Sequence, residues 1–234
     1  MKKILITSSL LSTLLFNGCV ANNSSQQSSG GYGQATQTTA TVTHSANNRA
    51  IQQSLAYMYD EERLAKEVYL AIYNRQPVQQ LSKIASKAEG RHIDAVQKLA
   101  QRYGVPTPYQ QAGRYQNSHI QSLYNELYAK GIRSKKDALE VGCMVEVIDV
   151  DDLNNYMNEA QRVNAQDVLQ TYTFLRKGSY NHYWAFDRGL KQMGVTTGCC
   201  SLGEKYCHPK YPQNEKGGHG GGRGQGRGMG GGWR

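Results

Sequence analysis

The chain contains 234 residues, of which 38% are hydrophobic and 19% are charged, so the composition is that of a soluble protein with one core and flexible ends. Eleven of the 25 glycines lie at or after position 217, which excludes a collagen-like repeat and a chain that is disordered throughout. The net charge is +9, but because residues 50–198 carry 18 Lys and Arg against 16 Asp and Glu, no nucleic-acid partner is predicted.

The first segment has the features of a secretory signal. Two lysines follow Met1, and Ile4–Phe16 is an apolar run of thirteen residues, which is too short for a membrane-spanning helix of about 20 residues. Cys19 follows Gly18 directly, and this arrangement resembles the lipobox of bacterial lipoproteins. We predict a signal peptide over 1–18 and a lipidated Cys19 that anchors the protein to the membrane. The alternative is ordinary cleavage, with Cys19 as a small apolar residue.

The next segment, 19–48, is rich in Ser, Gln, Thr and Asn and has almost nothing to bury. Such a composition predicts a disordered tether between the membrane and a folded domain. The expected location is therefore the cell envelope, with the domain facing the periplasm.

Apolar residues then recur at helical spacing through 49–195, and no alternating strand pattern competes with them. Ser134 and Asp137 form a capping signature, and Pro77 and Gly194 end helices. The predicted helices span about 50–75, 78–103, 118–130, 134–160 and 166–193. The sequence therefore predicts an all-α fold, a bundle of four long helices with a short extra helix between the second and the third.

Carboxylates and histidines fall on the buried stripes of these helices. Glu62 lies at the centre of the stripe of the first helix, and Glu61 at its edge is the second choice for the same role. Glu89 and His92 are three residues apart on the second helix, a spacing that lets both side chains reach one metal ion. A lone buried carboxylate is costly, so these groups need positive charge nearby.

The third and fourth helices add further polar residues. Glu146 and Asp149 have the same spacing of three on the third helix, and His182 lies on the apolar stripe of the fourth. Taken alone, each buried acid is more often paired with Lys or Arg. Because inward-facing cations are fewer than these acids, metal ions are the better explanation for the whole set.

This arrangement resembles the ferritin-like superfamily, and in particular its rubrerythrin branch, over residues 50–195. The strings YMYDEERLAKEVY (57–69) and GSYNHYWAF (178–186) are similar to those of a bacterial ferritin-like group classified as a domain of unknown function. The resemblance implies a di-iron site, in which Tyr69 is the candidate catalytic residue that contacts the ligands. The implied metal ligands are Glu62, Glu89 and His92 for one half, and Glu146 and His182 for the other.

One position departs from the superfamily pattern. Its fourth helix usually carries a Glu three residues before the histidine, but this chain has Ser179 there. Asp149 is the candidate to replace that ligand; otherwise the second metal position is weak. Iron, as two ions, is implied by the resemblance, whereas manganese or zinc would also suit such a set of ligands.

The last segment, 196–234, contains three of the five cysteines and ends in a Gly/Arg-rich tail with too few apolar residues to form a core. Disulfide bonds are expected in an oxidising compartment, but the sequence leaves open the pairing among Cys143, Cys199, Cys200 and Cys207, and a metal site at the cysteines is an alternative.

Two classes of function follow. The first is a di-iron oxidoreductase of the oxidase or peroxidase type, or an iron-oxidising protein. The alternative is a metal-buffering or metal-free structural envelope lipoprotein without turnover. The sequence leaves open the substrate, the electron donor and the formation of oligomers.

Overall fold

A computed structural model of the chain describes the backbone of residues 34–213 and the side chains of residues 48–213. The predicted signal peptide, Cys19, the first part of the predicted tether and the Gly/Arg-rich tail lie outside these residues. The chain divides into two units at Ala40, and every side chain discussed below belongs to the second unit, Thr41–Arg234.

Over the described residues the fold is helical and contains no strand, which confirms the predicted all-α class. No described helix combines the length and the apolar character that crossing a membrane requires. The α-helices are α1 (Gln34–Tyr73), α2 (Gln79–Ile84), α3 (Gly90–Arg102), α4 (Ser118–Gly131), α5 (Lys135–Arg162) and α6 (Gln166–Gln192).

The helix α1 begins within the segment predicted to be a tether. Its backbone is helical from Gln34, well before the expected start near Ala50. Extending an existing helix costs far less than nucleating one, and the added residues include Ala and Gln, which have fair helix propensities. The sequence pattern missed this extension because the added turns have no apolar stripe.

The predicted second helix is one continuous helical run with a π-helical turn inside it. Ala85–Glu89 form the π turn that joins α2 to α3. A π turn inserts one extra residue and so rotates the side chains that follow; such turns are frequent at functional sites. Here the turn ends at Glu89, one of the predicted metal ligands.

The two helices after the long connection begin at side-chain caps. Asn117 Oδ1 accepts a hydrogen bond from the backbone N–H of His119 at 2.9 Å and caps α4. Ser134 Oγ accepts one from the N–H of Asp137 at 3.0 Å and caps α5, which confirms the predicted capping signature.

Buried apolar side chains form two clusters that lie towards opposite ends of the helices. The Met58 cluster takes residues from the middle of α1, from α3, from the second half of α5 and from the first half of α6: Ile51, Leu55, Met58, Val96, Leu99, Leu153, Val168, Tyr172 and Leu175. The Tyr69 cluster includes Leu64, Val68, Tyr69, Leu81, Ile84, Leu139, Val145, Tyr183 and Phe186. On α1 and α6 the two clusters are separated by a short polar interval.

The segment after α6 is tied to the helices by disulfide bonds. Cys143 on α5 pairs with Cys199, and Cys200 pairs with Cys207. This pairing leaves none of these four cysteines as a free metal ligand. Tyr183 Oη donates a hydrogen bond to the carbonyl of Tyr206 at 3.0 Å, so the segment also packs against α6.

Candidate metal centre

The first part of the centre is a buried triad contributed by α1, the π turn and α3. Nδ1 of His92 lies 3.2 Å from Oε2 of Glu62 and 3.1 Å from Oε2 of Glu89. One ligand atom from each residue lies within 4.8 Å of the other two, which is close enough to hold one metal ion. The residues are only 2–3% exposed, so a cation there would be shielded from solvent.

A second triad combines Glu89 with Glu146 from α5 and His182 from α6. Nδ1 of His182 lies 3.0 Å from Oε1 of Glu89 and 3.3 Å from Oε2 of Glu146. Glu89 therefore belongs to both triads, with one oxygen facing each histidine. The His92 and His182 rings are stacked with centroids 5.5 Å apart, which places the two triads side by side.

Tyr69 orients the carboxylate of the second triad. Its Oη donates a hydrogen bond of 2.6 Å to Oε1 of Glu146, which leaves Oε2 to face His182. The Tyr69 ring is fully buried and packs against Phe186 with centroids 5.3 Å apart. Burial and the nearby carboxylates raise the pKa of Tyr69 well above its usual value, so the phenol keeps its proton and remains a donor.

Two glycines make room for the rings around the centre. A Cβ atom on Gly178 of α6 would lie 2.5 Å from Cε1 of His92 and nearer still to Nε2, so only glycine lets this ring reach its carboxylates. A Cβ atom on Gly142 of α5 would overlap the ring of Phe186. Both glycines allow α5 and α6 to approach bulky side chains that the site needs.

Burial and the neighbouring histidines shift the pKa values of the three carboxyl groups in different directions. Burial raises the pKa of Glu62 to about 7 although His92 opposes the shift, and burial likewise raises the pKa of Glu146 against the effect of His182. Burial also acts to raise the pKa of Glu89, but its two histidine neighbours outweigh burial and the pKa lies well below its usual range. Glu89 is thus the carboxylate that stays ionised.

The same contacts act on the histidines. Burial lowers the pKa of each imidazole, but the adjoining carboxylates outweigh burial and bring that of His92 to about 11 and that of His182 to about 10. Without metal, the two imidazolium ions are therefore the positive charges that face the carboxylates. A metal ion must displace their protons before it binds.

The unpartnered atoms of the triads fit metal ligation. Oε1 of Glu62, Oε1 of Glu89 and Nδ1 of His182 are buried and have no hydrogen-bond partner among the described residues. The 3.0 Å approach of the last two atoms is therefore not aligned as a hydrogen bond, although both point to a common space. Within the described part of the chain, no Lys or Arg forms an ion pair with the three carboxylates. Carboxylate oxygens and imidazole nitrogens are a donor set that suits iron, manganese or zinc.

Asp149 lies beside the triads and not within them. Its Oδ2 accepts a hydrogen bond from Ser179 Oγ, and it belongs to neither group of ligand atoms. That Asp149 replaces the missing acid of α6 stays a prediction. Its short side chain reaches the hydroxyl that stands at that position on α6.

An ion-pair network on α1 was not anticipated from the sequence. Arg63 is buried, donates hydrogen bonds to Asp60 at 3.1 Å and to Glu67 at 2.9 Å, and lies over the ring of Tyr115. Glu67 also accepts a hydrogen bond from Tyr115 Oη at 2.6 Å. The spacing of three and four residues around Arg63 is the signal that could have revealed it. This network fastens the connection before α4 over the outer face of α1.

The geometry defines an all-helical domain with two buried carboxylate–histidine triads that share one glutamate. Residues 52–206 match the family described as "Uncharacterized protein domain (DUF2202)", and the chain belongs to this family. The resemblance of the two sequence strings to a domain of unknown function is confirmed, and the matched residues include both triads.

A relative from an archaeon supports the same assignment. The chain is 37% identical over 145 residues to Uncharacterized protein MJ0754 from Methanocaldococcus jannaschii, an alignment that covers 61% of this chain and 76% of the relative. The crystal structure of hypothetical protein MJ0754 from Methanococcus jannaschii matches with a TM-score of 0.58 and 37% identity, over 61% of this chain and 81% of that one.

Proposed function

We propose that the protein is an exported ferritin-like protein that holds two iron ions in a carboxylate-bridged centre and uses them in oxygen-linked or peroxide-linked redox chemistry or in iron oxidation. In this proposal, α1, the run from α2 to α3, α5 and α6 are the four helices of a ferritin-like bundle. The observation that carries the proposal is Glu89, whose two oxygens face different histidines in two adjoining triads.

Five side chains would hold the metal ions. Glu62 and His92 would bind one ion, Glu146 and His182 the other, and Glu89 would bridge the two. A bound iron pair would donate electrons to a small oxidant and would accept electrons from a ferrous ion. Manganese or zinc would occupy the same ligands without the same redox chemistry.

The surrounding residues control charge and water around this centre. Tyr69 fixes the orientation of Glu146 and keeps a proton within 2.6 Å of its carboxylate oxygen. The Met58 and Tyr69 clusters lie on either side and limit solvent, since both consist mainly of apolar side chains. Charge interactions are stronger in such an environment than in water.

A metal-holding protein without turnover is the second candidate. The five ligand residues are 2–8% exposed, and such burial favours retention of an ion and restricts access to very small substrates. Oxygen and peroxide meet that limit, and a larger organic substrate does not. Assays of ferrous-iron oxidation and peroxide turnover separate the two candidates.

Export and lipidation form a separate part of the proposal. The two disulfide bonds support an oxidising compartment, because intracellular proteins rarely retain such bonds. If Cys19 carries lipid, labelled fatty acid enters the mature protein and Cys19→Ser releases the protein from the membrane fraction. A Cys19→Ser protein that stays in the membrane fraction would contradict lipid anchoring.

Metal content tests the centre directly. We expect about two ions per chain in the parent, purified from cells grown with iron, and a loss of metal in Glu89→Gln and His92→Ala. The control is Glu140→Gln, which removes another buried carboxylate of α5 that is paired with Lys130 and Lys136 instead. Equal metal content in all four proteins, measured by elemental analysis, would refute the proposal.

A further inference from the structure

Glu61 is a buried carboxylate that the two triads do not use. Its residue is 3% exposed, and neither side-chain oxygen has a hydrogen-bond partner among the described residues. Within the same residues, no Lys, Arg or His forms an ion pair with it, in contrast to Glu62 beside it. A carboxylate in such a place needs a proton or a cation.

Two acids of α5, Asp149 and Asp152, lie near Glu61 of α1. The charges of Asp149, Asp152 and Glu62 all act on it, and the carboxyl of Asp152 lies within hydrogen-bonding reach. Two carboxylates accept but do not donate, so this approach leaves both oxygens of Glu61 unpartnered. On the inner side, Oδ1 of Asp149 is also buried and unpartnered.

A cleft of about 590 Å³ opens on the outer side of this row of acids. Its lining includes Ser54, Tyr57 and Asp60 from α1 and Tyr156 and Glu159 from α5. The two tyrosine rings face each other with centroids 5.7 Å apart. Tyr57 Oη donates a hydrogen bond of 3.2 Å to Asp152, and so connects the cleft to the acid that lies next to Glu61.

The row of acids formed by Asp152, Glu61 and Asp149 has a direction, which follows from the order of residues along α1 and α5. On α1, Tyr57 in the cleft is followed one turn later by Glu61, which adjoins the ligand Glu62. On α5, Asp152 is three residues from Asp149, which is three residues from the ligand Glu146. The acids therefore run from the cleft to the centre at one step per turn.

We propose that Glu61 is a third cation site, through which divalent metal ions pass from the cleft to the two-metal centre, with Asp152 on the outer side and Asp149 on the inner side. This proposal rests on the proposed function of the centre. Carboxylate oxygens attract hard divalent ions, and a site with few ligands and no histidine binds more weakly than the triads. Weak binding lets an ion continue inwards.

Metal uptake by the full chain, stripped with a chelator, tests the site. Co²⁺ is the probe, its uptake is followed by visible absorption, and the final content is measured by elemental analysis. We expect Glu61→Gln to load about tenfold more slowly than the parent, the low end of the effect of charged clefts on association rates, and to reach the same final content. Glu140→Gln, the control, loads at the parent rate.

Each other outcome is decisive. Loading of Glu61→Gln within twofold of the parent overturns the transit site alone and indicates entry elsewhere, for example past His182, whose side chain is 10% exposed. A final cobalt content of Glu61→Gln below that of the parent would make Glu61 a ligand of the centre and would also overturn the transit site. If the parent takes up no cobalt, the two-metal centre fails and the transit site fails with it. Should Glu61→Gln not fold, Asp152→Asn, at the half-buried outer position, carries the same test.

Discussion

The substitution Gly178→Ala should remove the first metal ion while leaving the fold intact. The new methyl group would lie 2.5 Å from Cε1 of His92, whereas carbon atoms pack at about 3.5–4.0 Å. Because the helical backbone fixes the direction of the Cβ atom, the imidazole has to move by about 1 Å. Such a shift breaks the contacts of 3.2 and 3.1 Å that His92 makes with Glu62 and Glu89.

Two opposing effects set the stability of this variant. Overpacking a buried site costs about 1–3 kcal/mol, and replacing glycine by alanine within a helix gains about 0.5–1 kcal/mol. The free energy of unfolding of the metal-free variant is therefore expected to lie about 0–2.5 kcal/mol below that of the metal-free parent. In the proposed centre the loss is larger with metal, because the parent would gain stability from two ions and the variant from only one.

Gly90→Ala is the matched control, since this glycine is also helical and directly follows Glu89. Its added Cβ would meet nothing closer than Lys66 Nζ at 4.0 Å. We expect it to bind both ions and to gain about 0.5–1 kcal/mol. Elemental analysis and urea unfolding, with and without metal, give both quantities. If Gly178→Ala binds two ions and is stabilised as Gly90→Ala is, the position of His92 does not depend on Gly178.

Three further predictions concern protons, the tyrosine and the disulfide. With the pKa values of His92 and His182 raised to about 11 and about 10, both are protonated at neutral pH, and the raised pKa of Glu62 adds a further partly bound proton. The binding of metal should therefore release at least two protons and weaken as the pH falls. An indicator dye in weak buffer measures this, and the absence of proton release would contradict it. Tyr69→Phe keeps the packed ring but loses its hydrogen bond, and metal affinity in a chelator competition should fall about 10–100-fold, with parent-like affinity as the contrary result. Cys143→Ser opens a loop with a sequence separation of 56, which should lower the free energy of unfolding by about 4 kcal/mol, and a melting curve equal to that of the oxidised parent would refute this.

The raised histidine pKa values also predict how the stability of the metal-free protein depends on pH. A group whose pKa is higher in the folded than in the unfolded state stabilises the fold fully below the unfolded value, about 6.5 for histidine. That contribution disappears as the pH rises through about 10 to 11. The metal-free protein should therefore lose stability from neutral to alkaline pH, and urea unfolding at several pH values measures the loss.

Helical spacing was sufficient to locate the long helices and most of the candidate ligands. Apolar residues at intervals of three and four define a buried face, and an acid on that face must point into the core. This argument placed Glu62, Glu89, His92, Glu146 and His182, and the structure brings all five together. The π turn before Glu89 was not predictable in the same way, because one inserted residue changes the periodicity too little to detect.

The choice between Glu61 and Glu62 shows a second limit. A stripe argument assumes that one face of a helix is exposed, but residues 58–65 of α1 are all buried. The outer face is covered because Arg63 and Tyr115 hold the connection before α4 against it. With no exposed face, adjacent acids about 100° apart are both buried, and a sequence pattern assigns only one of them a role.

Asp149 shows the limit that matters most for function. Spacing of three residues places it on the same face as Glu146, but a face does not determine how far a side chain reaches. Its contact with Ser179 depends on the distance between α5 and α6, which in turn depends on Gly142 and on the Phe186 ring that fits against it. In our proposal, Ser179 therefore does more than omit a ligand. By holding Asp149 between Glu61 and the triads, it leaves a carboxylate oxygen free on the side from which, in our proposal, an ion arrives.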